Sequence, residues 1–308
     1  MKARAPGKVV LSGAYSVLEG APALVAAVDR YVVADSVRPA TTITAEVGAA
    51  IHLGALDRGV WFDARPLRRA AATAPADAGG KLGLGSSAAI LVASLGAVLL
   101  ARGVPEPALA STVFPLALRA HRAAQPGGSG IDVAASCFGG VLRFELDAGD
   151  GTANARAQEL PVGLVLEIWV CAAEASTQAM IAEVRALRAA EPEIYGRLIA
   201  QASAAARDVI EASSAGSWIQ GLAEQFRALA ALGAAAGSAI VTPEVAALGA
   251  LAREQDACFG PAGAGGGDIA LWAGLAPSPA RFRARAAELG LSALPLAIGA
   301  AGVHRIPG

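Results

Sequence analysis

The segment with the clearest chemical potential opens the most apolar helix that the sequence predicts. It reads Gly83-Leu84-Gly85-Ser86-Ser87 and runs straight into small apolar residues. Glycines let backbone N–H groups approach a polyphosphate, and a helix N-terminus adds unpaired donors and the positive end of its dipole. The Ser86 hydroxyl could bind a phosphate oxygen or help to hold Mg²⁺. Alternatively, Ser86 only caps the helix and the glycines only make a tight turn.

A second glycine-rich segment lies near the other end of the chain. Gly265, Gly266 and Gly267 stand in a row directly before Asp268. Such a run, ending on an aspartate at a predicted strand start, indicates that something packs against bare backbone. In a chain this rich in alanine and glycine, the run could also be loop filler.

Asp132 and Lys8 are the candidate catalytic residues. Asp132 follows a glycine–serine turn at residues 127–130 and could accept a hydroxyl proton, or polarise that hydroxyl, during phosphoryl transfer. Alternatively, Asp132 only caps the helix after that turn. Lys8 lies on the first predicted strand, where a lysine usually faces solvent. The only other lysines are Lys2 and Lys81, and the Lys8 ammonium could neutralise charge that develops during transfer.

The overall composition excludes two classes of protein. The chain has 308 residues and a net charge of −1 at pH 7, and it shows no basic stripe, so nucleic acid is excluded as a partner. The mean hydropathy is high, at +0.50, but much of it comes from alanine. The longest apolar stretch, residues 88–101, is shorter than the roughly 20 residues that a membrane-spanning helix needs. The sequence therefore predicts no membrane association.

The start of the chain and its cysteines indicate a compartment. Residues 1–8 contain no apolar signal segment. Cys137, Cys171 and Cys258 are odd in number and far apart, which favours neither a disulfide framework nor a zinc site. The expected location is the cytoplasm.

The elements that must position these residues are predicted from hydrophobic periodicity and turn residues. Strands are expected at residues 2–11, 22–33, 41–53, 59–63, 140–146, 162–171, 268–273 and 292–298. Helices are expected at residues 86–100, 107–124, 177–190, 193–212, 217–236, 243–255 and 279–289. Residues 69–80 are predicted to be a loop. The mixture without regular βαβ alternation predicts an α+β fold, and the polar, irregular stretch at 147–159 predicts a boundary between domains 1–160 and 161–308.

Three segments in this order resemble the GHMP kinases. They are Pro6-Gly7-Lys8, Gly83-Leu84-Gly85-Ser86-Ser87 and Gly263-Ala264-Gly265-Gly266-Gly267-Asp268. The resemblance covers nearly the whole chain. It implies a two-domain GHMP kinase-like fold, with an N-terminal ribosomal-protein-S5-like domain, a C-terminal ferredoxin-like α+β domain and ATP at their interface.

Within that family, residues 12–24, residues 120–132 and the run Ala175-Ser176-Thr177 resemble the phosphomevalonate kinase branch. The resemblance implies an ATP- and Mg²⁺-dependent kinase of the mevalonate route to isoprenoids, acting on a phosphorylated small molecule. The expected reaction converts 5-phosphomevalonate to 5-diphosphomevalonate, in a monomer or a homodimer.

The resemblance also implies roles for individual residues. Asp132 would activate or orient the acceptor phosphate, with Lys8 near the transferred phosphoryl group. The ATP phosphates would contact Gly83, Leu84, Gly85, Ser86 and Ser87, with Ser86 also at the Mg²⁺. The acceptor side would comprise Ser129, Gly130, Ser176, Gln125, Arg122, His121, Gly265 and Gly266. For His121, Arg122 and Gln125, an ordinary helix-surface or core position is an open alternative.

Three positions depart from the branch pattern. Ala14 stands where a glutamate is common, and Gly260 and Ala262 stand where Lys-Pro-Ser is frequent. One opposite charge at 4 Å is worth about 4 kcal/mol at an effective dielectric of about 20. Another cation therefore replaces the lysine, the acceptor is a less charged alcohol such as mevalonate, or the chain is a weakened relative. The candidate replacements are Arg122, Arg143 and Lys81.

Overall fold

The computed structural model describes residues 1–68, 82–147, 151–171 and 177–307. The α+β prediction is confirmed, since helices pack on two antiparallel sheets. In chain order the strands are β1 (Lys2–Ser12), β2 (Ala23–Pro39), β3 (Val60–Asp63), β4 (Val141–Leu146), β5 (Ala153–Ala157), β6 (Val165–Val170), β7 (Cys258–Pro261), β8 (Ile269–Gly274), β9 (Ser292–Leu294) and β10 (His304–Arg305). The predicted loop at 69–80 lies outside the described residues.

The helices follow the predicted order, with two that were not predicted: one at residues 131–138, and one at residues 45–52 where a strand was expected. They are α1 (Ala45–His52), α2 (Ser86–Ala101), α3 (Glu106–Ala124), α4 (Ile131–Phe138), α5 (Thr177–Ala190), α6 (Pro192–Glu211), α7 (Ala215–Ala236), α8 (Pro243–Arg253) and α9 (Ala280–Glu288). The sequence left α4 as an apolar stretch without a structure. In the described ranges, no helix combines the length and apolarity needed to cross a membrane.

Each half of the chain contributes most of one sheet. The first sheet has the order β10-β1-β2-β4-β5, with β3 also paired to β2, and the second has the order β7-β8-β6-β9. Because β10 returns to the first sheet, a short segment from the far end of the chain belongs with the N-terminal half. The boundary near residue 160 stays a prediction.

The helix α2 anchors the first sheet. It packs on β1 and β2, and its side chains Leu91 and Leu95 are fully buried; each such side chain stabilises the fold by about 1.5–3 kcal/mol. Gly96 allows the close approach, because a Cβ there would lie 2.7 Å from Val303 Cγ2 and 3.4 Å from Ala3 Cβ. The start of α2 is thereby fixed beside the middle of β1.

The predicted strand at 41–53 is wrong, because residues 45–52 form α1. Thr44 is the N-cap, and its side chain accepts a hydrogen bond from the backbone N–H of Val47 at 3.3 Å. Glu46 lies in the first turn, where its negative charge interacts favourably with the positive end of the helix dipole. The β-branched residues that suggested a strand stand just before this cap.

Two further predictions need correction in the strands. Residues 153–157, predicted to be irregular, form the edge strand β5 against β4; its polar residues face solvent at the sheet edge, which hid its strand pattern. The closing strand predicted at 292–298 ends at Leu294, since Pro295 has no N–H to continue a ladder.

Candidate active site

A bulge in β1 directs Lys8 towards the loop before α2. The register of β1 against β2 shifts between Pro6 and Gly7, and such a bulge re-aims the next side chain. The Lys8 backbone N–H donates to the Leu84 carbonyl at 2.9 Å, and its ammonium Nζ lies 3.3 Å from the Gly83 carbonyl oxygen. A Cβ on Gly7 would lie 2.8 Å from the Leu84 oxygen, so only glycine fits this backbone contact.

The two glycines of the loop make room for charged side chains. Gly83 and Gly85 have φ values of +75° and +73°, a left-handed conformation that favours glycine. A Cβ on Gly83 would lie 2.9 Å from Asp268 Cβ, and one on Gly85 would lie 3.0 Å from Lys8 Cγ. The loop therefore brings Lys8 and Asp268 to the start of α2.

The start of α2 is suited to an anion. Its N-cap is Gly85, which supplies no side-chain hydrogen bond, so the first N–H groups carry no side-chain cap. Ser86 is largely buried there at 7% exposure, and Ser87 is half-buried. Unpaired helix N–H groups, a positive dipole end and serine hydroxyls are what a polyphosphate requires.

Asp132 lies opposite this loop, in the first turn of α4. Gly130 is the N-cap with φ +79°, and the Ser129 hydroxyl accepts from the Ile131 N–H at 3.3 Å. One Asp132 oxygen accepts from the Val133 N–H at 3.0 Å. The Cβ of Asp132 lies 3.6 Å from where a Cβ of Gly85 would stand. The structure thus brings Asp132 and Lys8 to the same glycine.

His121 supports Asp132 from the protein interior. It projects from α3 at 2% exposure, and its Nε2 lies 3.7 Å from Asp132 Oδ1. Within the described ranges, its Nδ1 is buried without a hydrogen-bond partner. His121 therefore faces the carboxylate of Asp132 rather than open solvent.

Burial sets the electrostatics of Lys8. Desolvation lowers the pKa of the Lys8 ammonium below its usual 10.5, and the negative charges of Asp132 and Asp268 offset part of this effect. A cation held here is weakly hydrated, so it interacts strongly with any anion that enters.

This lowered pKa predicts a pH-dependent stability. Between the folded-state pKa and 10.5, the unfolded chain binds more protons at Lys8 than the folded chain, so stability rises with pH in that window. We expect the unfolding free energy of the ATP-free protein, minus that of a Lys8→Met variant, to increase with pH on the alkaline side as 10.5 is approached. Denaturant titrations of both proteins measure it. A constant or falling difference contradicts the desolvation of Lys8.

The glycine-rich segment at residues 263–267 packs against backbone, as the sequence predicted. A Cβ on Gly265 would overlap the Ile240 carbonyl oxygen, to which the Gly266 N–H donates at 3.1 Å. On its other side, the Tyr15 hydroxyl donates to the Ala264 carbonyl at 2.7 Å. The segment is therefore clamped between the two halves of the chain.

Tyr15 holds this clamp in a strained conformation. Its φ and ψ are 63° and −51°, and the Ser16 N–H donates to the Ala14 carbonyl at 2.8 Å. This is a γ-turn with positive φ, which is rare for a residue with a side chain. Such strain persists only where surrounding contacts enforce it, commonly at functional sites.

We expect Gly265→Ala to destabilise the protein by about 1–3 kcal/mol more than Gly54→Ala, because overpacking adds that much. Both glycines have positive φ, +86° and +73°, so the backbone strain is matched. A Cβ on Gly54 would meet nothing within 4 Å, whereas one on Gly265 would meet Ile240. Chemical denaturation of the two variants gives the difference, and equal losses would disprove the close packing.

A cavity of about 200 Å³ opens beside the Lys8–Asp132 pair rather than on it. Its wall includes Tyr15 and the turn residues Gly127 and Gly128. A Cβ on Gly128 would lie 3.0 Å from His121 Nε2, so the cavity is one imidazole ring away from Asp132. Arg185 also lines the cavity, and its Nη2 donates to the Gly127 carbonyl at 3.4 Å.

Three residues that bind one another, Glu19, Arg188 and Tyr195, also line this cavity. Arg188 pairs with Glu19 at 2.7 Å, and the Tyr195 hydroxyl donates to the same carboxylate oxygen at 2.9 Å. Burial, followed by this hydrogen bond, raises the pKa of Tyr195 to about 12, so the phenol stays protonated. Sequence reasoning missed Arg185, Arg188 and Tyr195, which look like ordinary residues of amphipathic helices.

Several predicted acceptor residues have partners of their own. The Gln125 amide donates to Glu46 at 2.5 Å, and Arg122 donates to the Gly151 carbonyl at 2.5 Å. Arg143, a candidate replacement cation, pairs with Glu145. Their acceptor-side roles stay predictions, and Ser176 and Lys81 lie outside the described residues.

The position of Gly260 explains the absent lysine. A Cβ there would overlap the ring of Phe226, which is buried in α7. The side-chain direction at 260 therefore points into the apolar core. A lysine would be desolvated there, and the neighbouring Ala262 is buried as well.

The chain is similar to known proteins in sequence and in fold. Residues 77–140 match the family described as the GHMP kinases N terminal domain. The phosphomevalonate kinase of Streptomyces sp. (strain CL190) is 30% identical, over 87% of this chain and 88% of that protein.

Solved structures share the fold, and two of them serve as examples. The Lin0012 protein from Listeria innocua superposes with a TM-score of 0.82 at 20% identity, covering 98% of this chain and 99% of that one. The Streptococcus pneumoniae phosphomevalonate kinase in complex with phosphomevalonate and AMPPNP gives 0.76 at 18% identity, covering 97% and 99%.

Proposed function

Because the chain belongs to the GHMP kinase family, we propose that it transfers the terminal phosphoryl group of ATP to 5-phosphomevalonate, giving 5-diphosphomevalonate. The family makes it an ATP-dependent small-molecule kinase, and the phosphomevalonate kinase relative supports a place in the mevalonate pathway. The observation that carries the choice of acceptor is the 30% identity to a phosphomevalonate kinase along 87% of the chain. The meeting of Lys8 and Asp132 beside the start of α2 supports the chemistry.

The division of labour follows from the acceptor's own chemistry. A phosphate monoester has a second pKa near 6, so near neutral pH it is already a good nucleophile and needs little help from a base. Catalysis then requires that two anions be brought together and aligned. Lys8 neutralises the charge shared by the two phosphates. Asp132 orients the acceptor phosphate and takes its last proton when one is present.

Mg²⁺ belongs to the proposal together with ATP. The donor set suits it, because Mg²⁺ takes oxygen ligands and is commonly bound through substrate phosphates and few protein groups. Ser86 would hold it from the uncapped start of α2, next to phosphate oxygens cradled by Gly83, Leu84, Gly85 and Ser87. When bound, Mg²⁺ neutralises charge on the ATP phosphates.

An unphosphorylated alcohol such as mevalonate is the alternative acceptor. Gly260 stands where the phosphomevalonate kinase branch frequently has a lysine, but the side-chain direction there points at the buried Phe226, so the missing lysine does not by itself select the alcohol. The retained Lys8 and Asp132 argue against a non-catalytic relative. The cytoplasm, and a monomer or homodimer, complete the proposal as predictions from the sequence.

A coupled ADP-release assay with 5-phosphomevalonate and mevalonate side by side tests the acceptor. We expect a higher kcat/KM with 5-phosphomevalonate. Turnover of mevalonate alone would replace the proposed acceptor by the alternative. Turnover of neither, in protein that binds ATP, would remove the mevalonate-type acceptor altogether.

A further inference from the structure

The cavity beside Asp132 is lined by an arginine, Arg185, that forms no ion pair with a described carboxylate. Arg188 is paired with Glu19, which leaves Arg185 as the unmatched cation. None of the ion pairs in the described ranges includes Arg185. Its hydrogen bond to the Gly127 carbonyl is long, at 3.4 Å. The guanidinium therefore has donors to offer an incoming anion.

The absence of a side chain at Gly127 leaves room for the Arg185 guanidinium in the cavity wall. A Cβ on Gly127 would overlap Arg185 Nη2, so the charged group lies directly against the glycine. Gly127 belongs to the turn that leads into Asp132. A ligand held by Arg185 is thus fixed relative to the proposed reaction centre.

The rest of the cavity suits a small, partly apolar acid. The side chains of Leu18, Ile181 and Val184 line it, and Val184 is buried. Its volume of about 200 Å³ equals roughly seven waters' share of liquid water. A short branched chain with one anionic end fits these walls.

We propose that this cavity is the acceptor subsite and that Arg185 binds the acceptor carboxylate, the anionic group that does not react. The inference rests on the proposed function, because 5-phosphomevalonate and mevalonate both carry a carboxylate at the end opposite the reacting group. The reacting end must lie at Lys8 and Asp132, and neither residue lines the cavity. Arginine suits the task because its planar fork binds a carboxylate through two parallel hydrogen bonds.

The test compares the full-length wild type with Arg185→Gln, Arg185→Lys and a control, Arg281→Gln. Arg281 is a surface arginine paired with Glu254, outside the cavity. We expect Arg185→Gln to raise the KM for 5-phosphomevalonate and for mevalonate by about 10- to 100-fold, the usual value of a charged hydrogen bond. The KM for ATP and the melting temperature should stay unchanged. Arg185→Lys should recover part of the loss, and Arg281→Gln should resemble the wild type.

The carboxamide analogue of mevalonate identifies the group that Arg185 binds. If Arg185 binds the carboxylate, the wild type should bind the carboxamide more weakly than mevalonate by the same factor that Arg185→Gln costs for mevalonate. The Arg185→Gln substitution should then not weaken binding of the carboxamide any further. Equal losses with acid and carboxamide would overturn the proposal, and so would an unchanged KM. A loss confined to 5-phosphomevalonate would also overturn it, since the arginine would then bind the phosphate.

Binding measurements separate this proposal from the proposed function. Calorimetric titration of 5-phosphomevalonate and mevalonate into the protein, with a non-hydrolysable ATP analogue present, needs no turnover. If neither acid is turned over but one of them still binds in a way that depends on Arg185, the proposed reaction is wrong and the subsite is supported. If 5-phosphomevalonate is turned over but its binding does not depend on Arg185, the proposed reaction is supported and the subsite is wrong. If neither acid binds, the subsite is also wrong.

Discussion

Replacing Asp132 by asparagine is expected to lower kcat by about 10²-fold, because the acceptor phosphate loses the group that aligns it for transfer. The amide keeps the shape of the side chain but can neither take a proton nor carry the charge that faces Lys8. The KM for ATP should change little, because the proposed nucleotide site is the start of α2. Steady-state kinetics with 5-phosphomevalonate, or with whichever acceptor turns over, measure the loss.

A matched control distinguishes this loss from a general effect of removing a carboxylate. Asp57→Asn removes an exposed carboxylate that pairs with Arg102 on the surface, and its kcat should equal that of the wild type. If Asp132→Asn keeps more than about a tenth of the wild-type turnover, the role proposed for Asp132 is wrong. A large fall in melting temperature would instead assign Asp132 to the fold.

Replacing Lys8 by methionine should lower kcat by about 10²- to 10³-fold, because one preorganised charge that meets the developing anion is lost. The fold should survive. Methionine fills a similar volume, and removing a desolvated charge relieves a cost of folding. We expect a melting temperature equal to or above that of the wild type near neutral pH. Activity assays and thermal unfolding together check both statements.

Lys2→Met is the control for this variant. Lys2 lies on the same strand but is exposed, so its loss should leave both kcat and stability unchanged. Normal turnover by Lys8→Met would refute the electrostatic role of Lys8. Unfolding of Lys8→Met would show that the lysine matters for the structure instead.

Local sequence patterns predicted most of the fold, because the spacing of apolar residues that marks a helix or a strand recurs over many positions. The apolar run of α2 could only be a buried helix, and its boundaries agree within one residue. The strand predicted at 41–53 failed because three β-branched residues outweighed a cap at Thr44. The edge strand β5 was missed because a half-exposed edge tolerates polar residues.

The candidate site was predictable only where the backbone itself imposes a residue type. Glycines with positive φ, such as Gly83 and Gly85, leave a visible trace in the sequence, and so does a rare lysine. Arg185 leaves none, since an arginine on an amphipathic helix usually faces solvent. Its relation to Gly127 depends on how the second half of the chain packs on the first, which no local pattern encodes.

The pairing of β10 with β1 has a consequence for biosynthesis. Arg4 Nε meets His304 Nε2 at 2.6 Å, across 300 positions of the chain. At ribosomal speeds, such a separation corresponds to roughly 15–60 s of elongation. During that time Ala3 and Arg4, the two residues of β1 that pair with β10, lack their partners, so this corner of the first sheet can close only after nearly the whole chain has been made.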